Sequence, residues 1–114
     1  MSFDRLVHSP LLRAVETADA IAKLVDGETV VAKALAQPPS EVLLEQLKGE
    51  QVAVIGHQPW LGELIGVLVF GGAERAERLV LKKGSVTWLE GEPRPNGMVL
   101  RAILTPRVLV RLAE

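Results

Sequence analysis

The stretch from Val52 to Trp60 constrains the fold more than any other part of the chain. An apolar, mostly β-branched run ends at Gly56, is followed by His57, and continues at Pro59, a residue suited to the start of a helix. In an α/β protein this pattern indicates a buried strand that leads directly into a helix. Ligands bind at such junctions in open parallel sheets, and the helix dipole favours an anion. We therefore expect an anion-binding crevice with His57 at its edge.

The rest of the chain alternates between strand and helix patterns. Strands are predicted at 1–7, 29–32, 51–55, 79–81, 85–90 and 98–104, with a hairpin loop at 92–97, and helices after Pro10, over 40–48, from Pro59 to Gly71-Gly72 and after Pro106. Ser9 is the expected N-cap of the first helix, and Asp26-Gly27 is its expected end. Its apolar face is predicted to contain Leu11, Ala14, Val15, Ala18, Ile21, Ala22 and Val25. The sequence thus predicts one domain over 1–114, with three α/β/α layers, a mostly parallel sheet and a C-terminal β-hairpin.

Composition narrows the range of partners and compartments. Thirteen basic against fourteen acidic residues give a net charge of −1, which argues against nucleic acid or an anionic membrane surface as a partner. The absence of cysteine excludes disulfides, thiolate metal sites and a cysteine nucleophile. With two histidines and no suitably spaced carboxylate partners, we expect no metal and no cofactor. The sequence has no secretory signal pattern, which favours a cytoplasmic protein.

Arg13 and His57 are the main candidates for chemistry. Each follows a predicted strand and a turn that contains proline, and in a parallel sheet both turns lie at the same edge. Together they would bind a phosphate, with Ser9 and Gln58 beside them at the helix starts. Each has a simpler explanation when taken alone. His57 would then be a turn histidine bonded to a carbonyl, and Arg13 a surface residue paired with Glu16.

Two further sequence features are open to more than one interpretation. His8 lies next to the Ser9-Pro10 turn and is either a strand-end residue or a catalyst. Lys82-Lys83-Gly84 is typical of a solvated turn, with the binding of an acidic partner as the alternative. The chain contains neither a phosphate-binding loop with its lysine nor a G-x-S-x-G nucleophile motif.

Four motifs in this order resemble the histidine phosphatase superfamily, and within it the small bacterial phosphohistidine phosphatases of the SixA type. The matching stretches are His8-Ser9-Pro10-Leu11-Leu12-Arg13-Ala14 with Thr17-Ala18, then Gly56-His57-Gln58-Pro59, Leu81-Lys82-Lys83-Gly84-Ser85, and Leu104-Thr105-Pro106-Arg107-Val108-Leu109. The resemblance implies a phosphoglycerate mutase-like fold. It also implies a phosphatase in which Arg13 clamps the transferring phosphoryl group and His57 stabilises its transition state. The implied substrates are phosphomonoesters or a protein that carries phosphohistidine.

The chain departs from the family pattern at one point. Family members begin with a strand that ends in Arg-His-Gly and supplies the histidine nucleophile, and this sequence contains no Arg-His-Gly. The resemblance therefore implies the C-terminal part of a histidine phosphatase domain that lacks its first βα unit. The absent strand would be central, so we expect unpaired strand edges and a homo-oligomer, or a separate upstream fragment, that covers them. Alternative functions are a non-catalytic phosphate-binding or regulatory module and an inactive, oligomerising fragment.

Overall fold

The computed structural model describes residues 2–112, apart from the side chain of Val110; Met1, assigned to the first predicted strand, lies outside the described residues. The strands are β1 (Phe3–His8), β2 (Val25–Val31), β3 (Gln51–Ile55), β4 (Val86–Gly91) and β5 (Met98–Leu104). The α-helices are α1 (Leu12–Ala20), α2 (Glu41–Gln46), α3 (Trp60–Ile65) and α4 (Pro106–Leu112). Short 3-10 turns cover Ala22–Leu24, Lys33–Ala36 and Ala76–Arg78, and a π-helical turn, Gly66–Phe70, continues α3. In this described part of the chain, no helix is both long enough and apolar enough to cross a membrane.

The five strands form one mixed sheet in the order β2-β1-β3-β4-β5. Strand β1 runs parallel to β2 and β3, and β4 runs antiparallel to β3 and β5. The α/β class and the C-terminal hairpin are confirmed. The pairings divide evenly between parallel and antiparallel, so the sheet is mixed and the prediction of a mostly parallel sheet is not confirmed.

Strand β3 lies at the centre of this sheet and is buried on both faces, as its unbroken apolar sequence predicts. Val52 and Val54 contact one core cluster, which also contains Leu64 of α3. Ala53 and Ile55 contact the other cluster, with side chains from α1 and α4. Helices therefore cover both faces of the sheet, and the chain folds in three layers.

The first helix is shorter than predicted. Leu11 is its N-cap residue instead of Ser9, and the helix ends at Ala20. Asp26-Gly27 does not stop the helix but lies inside β2. A side chain at Gly27 would collide with the backbone carbonyl of Asp4, so this glycine permits the close approach of β2 to β1. Pairing between the strands therefore overrides the local helix-stop signal.

Two other sequence predictions need correction. Leu79–Leu81 is not a strand, since sheet pairing begins only at Val86 and the Leu79 carbonyl accepts a bond from Gln58 instead. The prediction of unpaired edges inside the sheet is also wrong, because β3 is paired along one side with β1 and along the other with β4. The edges of the described sheet belong to β2 and β5. Self-association stays a prediction.

The turn that leads into β3 depends on one carboxylate of β1. Oδ2 of Asp4 accepts the backbone N–H groups of Glu50 and Gln51 at 2.9 and 3.0 Å. We expect Asp4→Ala to lower the free energy of unfolding by about 1–2 kcal/mol, because both bonds are charge-assisted but exposed to water. Urea unfolding would measure this change. Asp19→Ala, at an exposed position of α1, is the control. An equal effect of both substitutions would contradict the role of Asp4.

Candidate functional site

The parallel strands β1 and β3 end at the same edge of the sheet, and a hydrogen bond joins the residues that follow them. Ser9 Oγ lies 2.6 Å from His57 Nε2, and the Ser9 backbone N–H donates to the Ile55 carbonyl at 3.0 Å. Ser9 is fully buried, whereas His57 is half-buried. Ser9 also accepts the Leu11 N–H at 3.3 Å. Ser9 therefore holds the His57 ring at the lip of the crevice, and a turn histidine bonded only to a carbonyl is excluded.

Burial lowers the pKa of His57 below its ordinary value of 6.5, because desolvation disfavours the charged ring. The Ser9 hydroxyl is buried, and His57 Nε2 is its only acceptor among residues 2–112, so the hydroxyl donates to Nε2 and the neutral ring carries its own proton at Nδ1. In this tautomer Nδ1 is the nitrogen that can donate to a ligand. The Ser9 bond thus sets both the orientation of the ring and the atom that can donate a proton.

A pocket of about 240 Å³ opens over His57. Its lining residues are Gly56, His57, Gln58, Leu61, Leu81, Lys82 and Lys83. Two of these carry a positive charge and none is a carboxylate. The local field therefore favours an anion although the whole chain is almost neutral.

The lysines reach this edge through the tight turn from Lys82 to Ser85. The Ser85 N–H donates to the Lys82 carbonyl at 3.1 Å, and Gly84 adopts a φ of 78°, in the left-handed region that favours glycine. Because β4 runs antiparallel to β3, its first residue lies at the edge where β3 ends. The turn before β4 is therefore brought beside His57.

Arg13 lies in an adjoining hollow of about 210 Å³, on the other side of the same turn. This hollow is lined by Arg13, Glu16, Thr17, Ala20, Gly84, Pro106 and Leu109. The Thr17 hydroxyl donates to the Gly84 carbonyl at 3.2 Å and so attaches α1 to the turn. The two hollows share no lining residue. The convergence of Arg13 and His57 on a single anion stays a prediction.

No model of a known protein family matches the chain, and no curated protein matches it. The likeness to histidine phosphatases therefore rests on the four sequence motifs. Among residues 2–112, no group of three histidine, aspartate or glutamate side chains is arranged to hold a metal ion.

The other two predicted site residues, His8 and Gln58, differ in exposure: His8 is buried, whereas Gln58 lines the His57 pocket. His8 is the buried last residue of β1, and its Nδ1 lies 2.8 Å from the Ser9 carbonyl. A carbonyl can only accept, so Nδ1 of His8 is protonated and its lone pair is on Nε2. The Gln58 amide donates to the Leu79 carbonyl at 3.0 Å and accepts the Gly62 N–H at 2.9 Å. Gln58 lines the His57 pocket, and its two side-chain hydrogen bonds connect α3 to the segment that precedes β4.

The sequence did not predict two features of this site. Lys82 and Lys83 are typical of a solvated turn, with the binding of an acidic partner as the alternative, and the pattern did not assign them to the His57 pocket. Ser9 is predicted as a helix cap and a phosphate-binding residue, but not as the hydrogen-bond partner of His57. The predicted C-terminal hairpin was the available signal for the lysines. If its first strand pairs antiparallel with β3, that strand begins at the edge where β3 ends, and the turn before it lies at the same edge. No sequence signal identifies the bond between Ser9 and His57, since it joins residues far apart in the chain.

The lowered pKa of His57 predicts weaker stability in mild acid. The unfolded chain binds a proton at His57 near pH 6.5, whereas the folded protein resists protonation until a lower pH. This contribution to the free energy of unfolding is present above pH 6.5 and is lost as pH falls through the folded pKa. Urea unfolding at about pH 7.5 and about pH 5.5 would measure the loss. His57→Gln should reduce the difference, and an undiminished difference in that variant would refute the assignment.

Proposed function

We propose that the chain binds a phosphoryl group in the pocket over His57, as the phosphate-holding part of a site of the histidine phosphatase kind. The supporting observation is that Lys82, Lys83 and His57 line one pocket and that no carboxylate is among its lining residues. Two lysines supply positive charge, and the His57 Nδ1–H supplies a directed hydrogen bond. The four sequence motifs favour phosphate over other oxyanions.

The division of work among these residues follows from their chemistry. Lysine ammonium groups act as mobile point charges and attract the anion from solution. The imidazole, fixed by Ser9, orients one phosphate oxygen. Arg13, across the turn, would add a bidentate donor to a ligand large enough to extend over Gly84. Binding of this kind stabilises a phosphoryl group but supplies no nucleophile.

Hydrolysis of phosphomonoesters or phosphohistidine is a second candidate function, and the His8 tautomer favours it. With Nδ1 donating to the Ser9 carbonyl, the lone pair that would attack phosphorus is on Nε2. Attack would form an N–P bond and break the P–O or P–N bond to the leaving group, which takes a proton. Water would then cleave the N–P bond and release phosphate. His8 is only 5% exposed, so attack requires the substrate to reach a nearly buried ring.

A phosphate titration followed by NMR tests the binding proposal. The chain has only two histidines, so His8→Ala and His57→Gln variants assign the imidazole signals. Inorganic phosphate should shift the His57 signals saturably and raise the pKa of His57, because a nearby anion favours the charged ring. Sulfate or vanadate should compete. Unchanged His57 signals at saturating phosphate would refute the proposal.

A separate assay tests the hydrolytic candidate. The chain is incubated with p-nitrophenyl phosphate and with a phosphohistidine peptide, and acid-labile phosphate on the protein is measured. His8→Ala should abolish both turnover and the trapped phosphate, whereas phosphate binding should persist. Turnover that survives in His8→Ala would exclude His8 as nucleophile, and no turnover in the unsubstituted chain would leave a binding module.

A further inference from the structure

A larger groove, about 610 Å³ in volume, lies beside the His57 pocket and takes no part in the function proposed above. It is lined by Phe70, Gly72, Glu74, Arg75, Arg78 and Leu79. The Phe70 side chain is 64% exposed, which is unusual for a large aromatic residue and is typical of an interaction surface. The groove thus combines an apolar wall with two arginines.

The two arginines lie three residues apart at the two ends of one short turn, and both line the groove. Arg75 precedes the 3-10 turn Ala76–Arg78, and the Arg78 N–H donates to the Arg75 carbonyl at 3.0 Å. In a 3-10 helix, residues three apart lie one above the other. No ion pair involves either guanidinium among the described residues, although Glu74 lines the same groove. The groove therefore contains two guanidinium groups and one carboxylate beside apolar surface, and its net charge is positive.

The groove and the His57 pocket share a wall. Gln58, which lines the pocket, donates its side-chain N–H to the carbonyl of Leu79, which lines the groove. A simple phosphomonoester would occupy only one of these hollows. A ligand that fills both must extend over several residues of a polymer.

We propose that this groove docks an acidic polypeptide segment next to the phosphorylated residue that the His57 pocket holds. Carboxylates of the segment pair with Arg75 and Arg78, and an apolar side chain packs against Phe70 and Leu79. The proposal rests on the proposed function and specifies its substrate class as an acidic phosphoprotein. The apolar wall favours a polypeptide over nucleic acid, because an apolar side chain can pack against Phe70 and Leu79 and a phosphodiester backbone carries none.

Fluorescence anisotropy with an unphosphorylated probe isolates the groove from the pocket. The probe is a labelled decapeptide of aspartate and glutamate with one central leucine. Arg75→Glu combined with Arg78→Glu should weaken its binding by at least about tenfold. Phe70→Ser should weaken it by about threefold or more through the loss of apolar contact. Inorganic phosphate should bind both variants within about twofold of the unsubstituted chain.

A matched double variant controls for overall charge. Lys23→Glu with Lys48→Glu makes the same change in net charge in the segments just before β2 and β3, and neither lysine lines the groove. This control should bind the decapeptide as the unsubstituted chain does. Equal weakening in both double variants would overturn the groove assignment, as would equally tight binding of an oligothymidylate of the same length.

The two proposals fail in different ways. A chain that binds phosphate but not the decapeptide keeps the proposed function and overturns the groove. A chain that binds the decapeptide through Arg75 and Arg78 but does not bind phosphate refutes the proposed function and, with it, the assignment of the substrate as a phosphoprotein.

Discussion

Reversing the charge of both Lys82 and Lys83 to glutamate is expected to weaken phosphate binding about 100-fold. Each lysine, exposed to water at the mouth of the pocket, contributes about 0.7 kcal/mol of attraction, and each glutamate adds a comparable repulsion. The neutral pair Lys82→Gln with Lys83→Gln should weaken binding by only about tenfold. Isothermal titration calorimetry with inorganic phosphate at low ionic strength would measure both changes.

The controls for this prediction separate the pocket from the general field of the protein. Lys23→Glu with Lys48→Glu changes the net charge equally, but neither lysine lines the pocket, and it should leave phosphate affinity unchanged. Added salt should weaken binding to the unsubstituted chain, because the lysines are solvated. A loss of less than about threefold in the double glutamate variant would show that phosphate does not bind between these lysines.

The sequence was most informative where hydrophobic pattern and local capping agree. Strand β3 has the predicted bounds, since an unbroken apolar run can only be buried on both faces. The helix predicted over 40–48 is present as α2, and Ser40 caps it: the Ser40 hydroxyl accepts the Leu43 N–H at 3.3 Å. Gly71 ends the segment that follows His57 with a φ of 84°, as expected for a glycine at a helix end.

Sequence reasoning failed where long-range pairing competes with local signals. Asp26-Gly27 is a helix-stop pattern, but parallel pairing with β1 extends β2 through it. Ser9 is a typical capping residue, but its hydroxyl binds an imidazole 48 positions away in the chain. The pairing of β3 with β4 depends on contacts between distant parts of the chain. No local sequence pattern shows whether the edge of β3 is paired with β4 or left unpaired.

In the candidate site too, local patterns were predictive, whereas features that depend on long-range pairing were not. The turn after β3 predicted the position of His57 at the edge of the sheet, because a strand–glycine–helix junction is a local pattern. The basic character of the pocket depends on which strand lies beside β3, and therefore on topology. Lys82 and Lys83 acquire their proposed role only because β4 enters the sheet antiparallel to β3.

Replacing Thr87 by valine is expected to stabilise the protein. Thr87 is fully buried on β4, directly opposite Val54, and its hydroxyl has no hydrogen-bond partner among residues 2–112. A buried hydroxyl without a partner costs about 1–3 kcal/mol, and a methyl group of nearly the same size avoids that cost. Thr87→Val should therefore raise the free energy of unfolding by about 1–2 kcal/mol in urea titrations.

Thr29→Val is the matched control, because Thr29 is exposed on β2 and its hydroxyl is already solvated. This change should alter stability by less than about 0.5 kcal/mol. Ser85→Ala provides a second measurement, since Ser85 is also buried with an unpartnered hydroxyl and lies two residues before Thr87 on the same face of the sheet. A clear loss of stability in Thr87→Val would show that the hydroxyl has a partner in the folded protein.

Phosphate binding by Thr87→Val tests whether the pocket depends on the core of the sheet. Thr87 lies inside the sheet, whereas the lysines belong to the turn before β4. Thr87→Val removes the cost of the buried hydroxyl without changing any charge at the pocket. The affinity for phosphate should therefore stay within about twofold of that of the unsubstituted chain while the unfolding midpoint rises. A parallel loss of affinity would mean that the position of the turn depends on the Thr87 hydroxyl, and that the pocket and the core of the sheet are coupled.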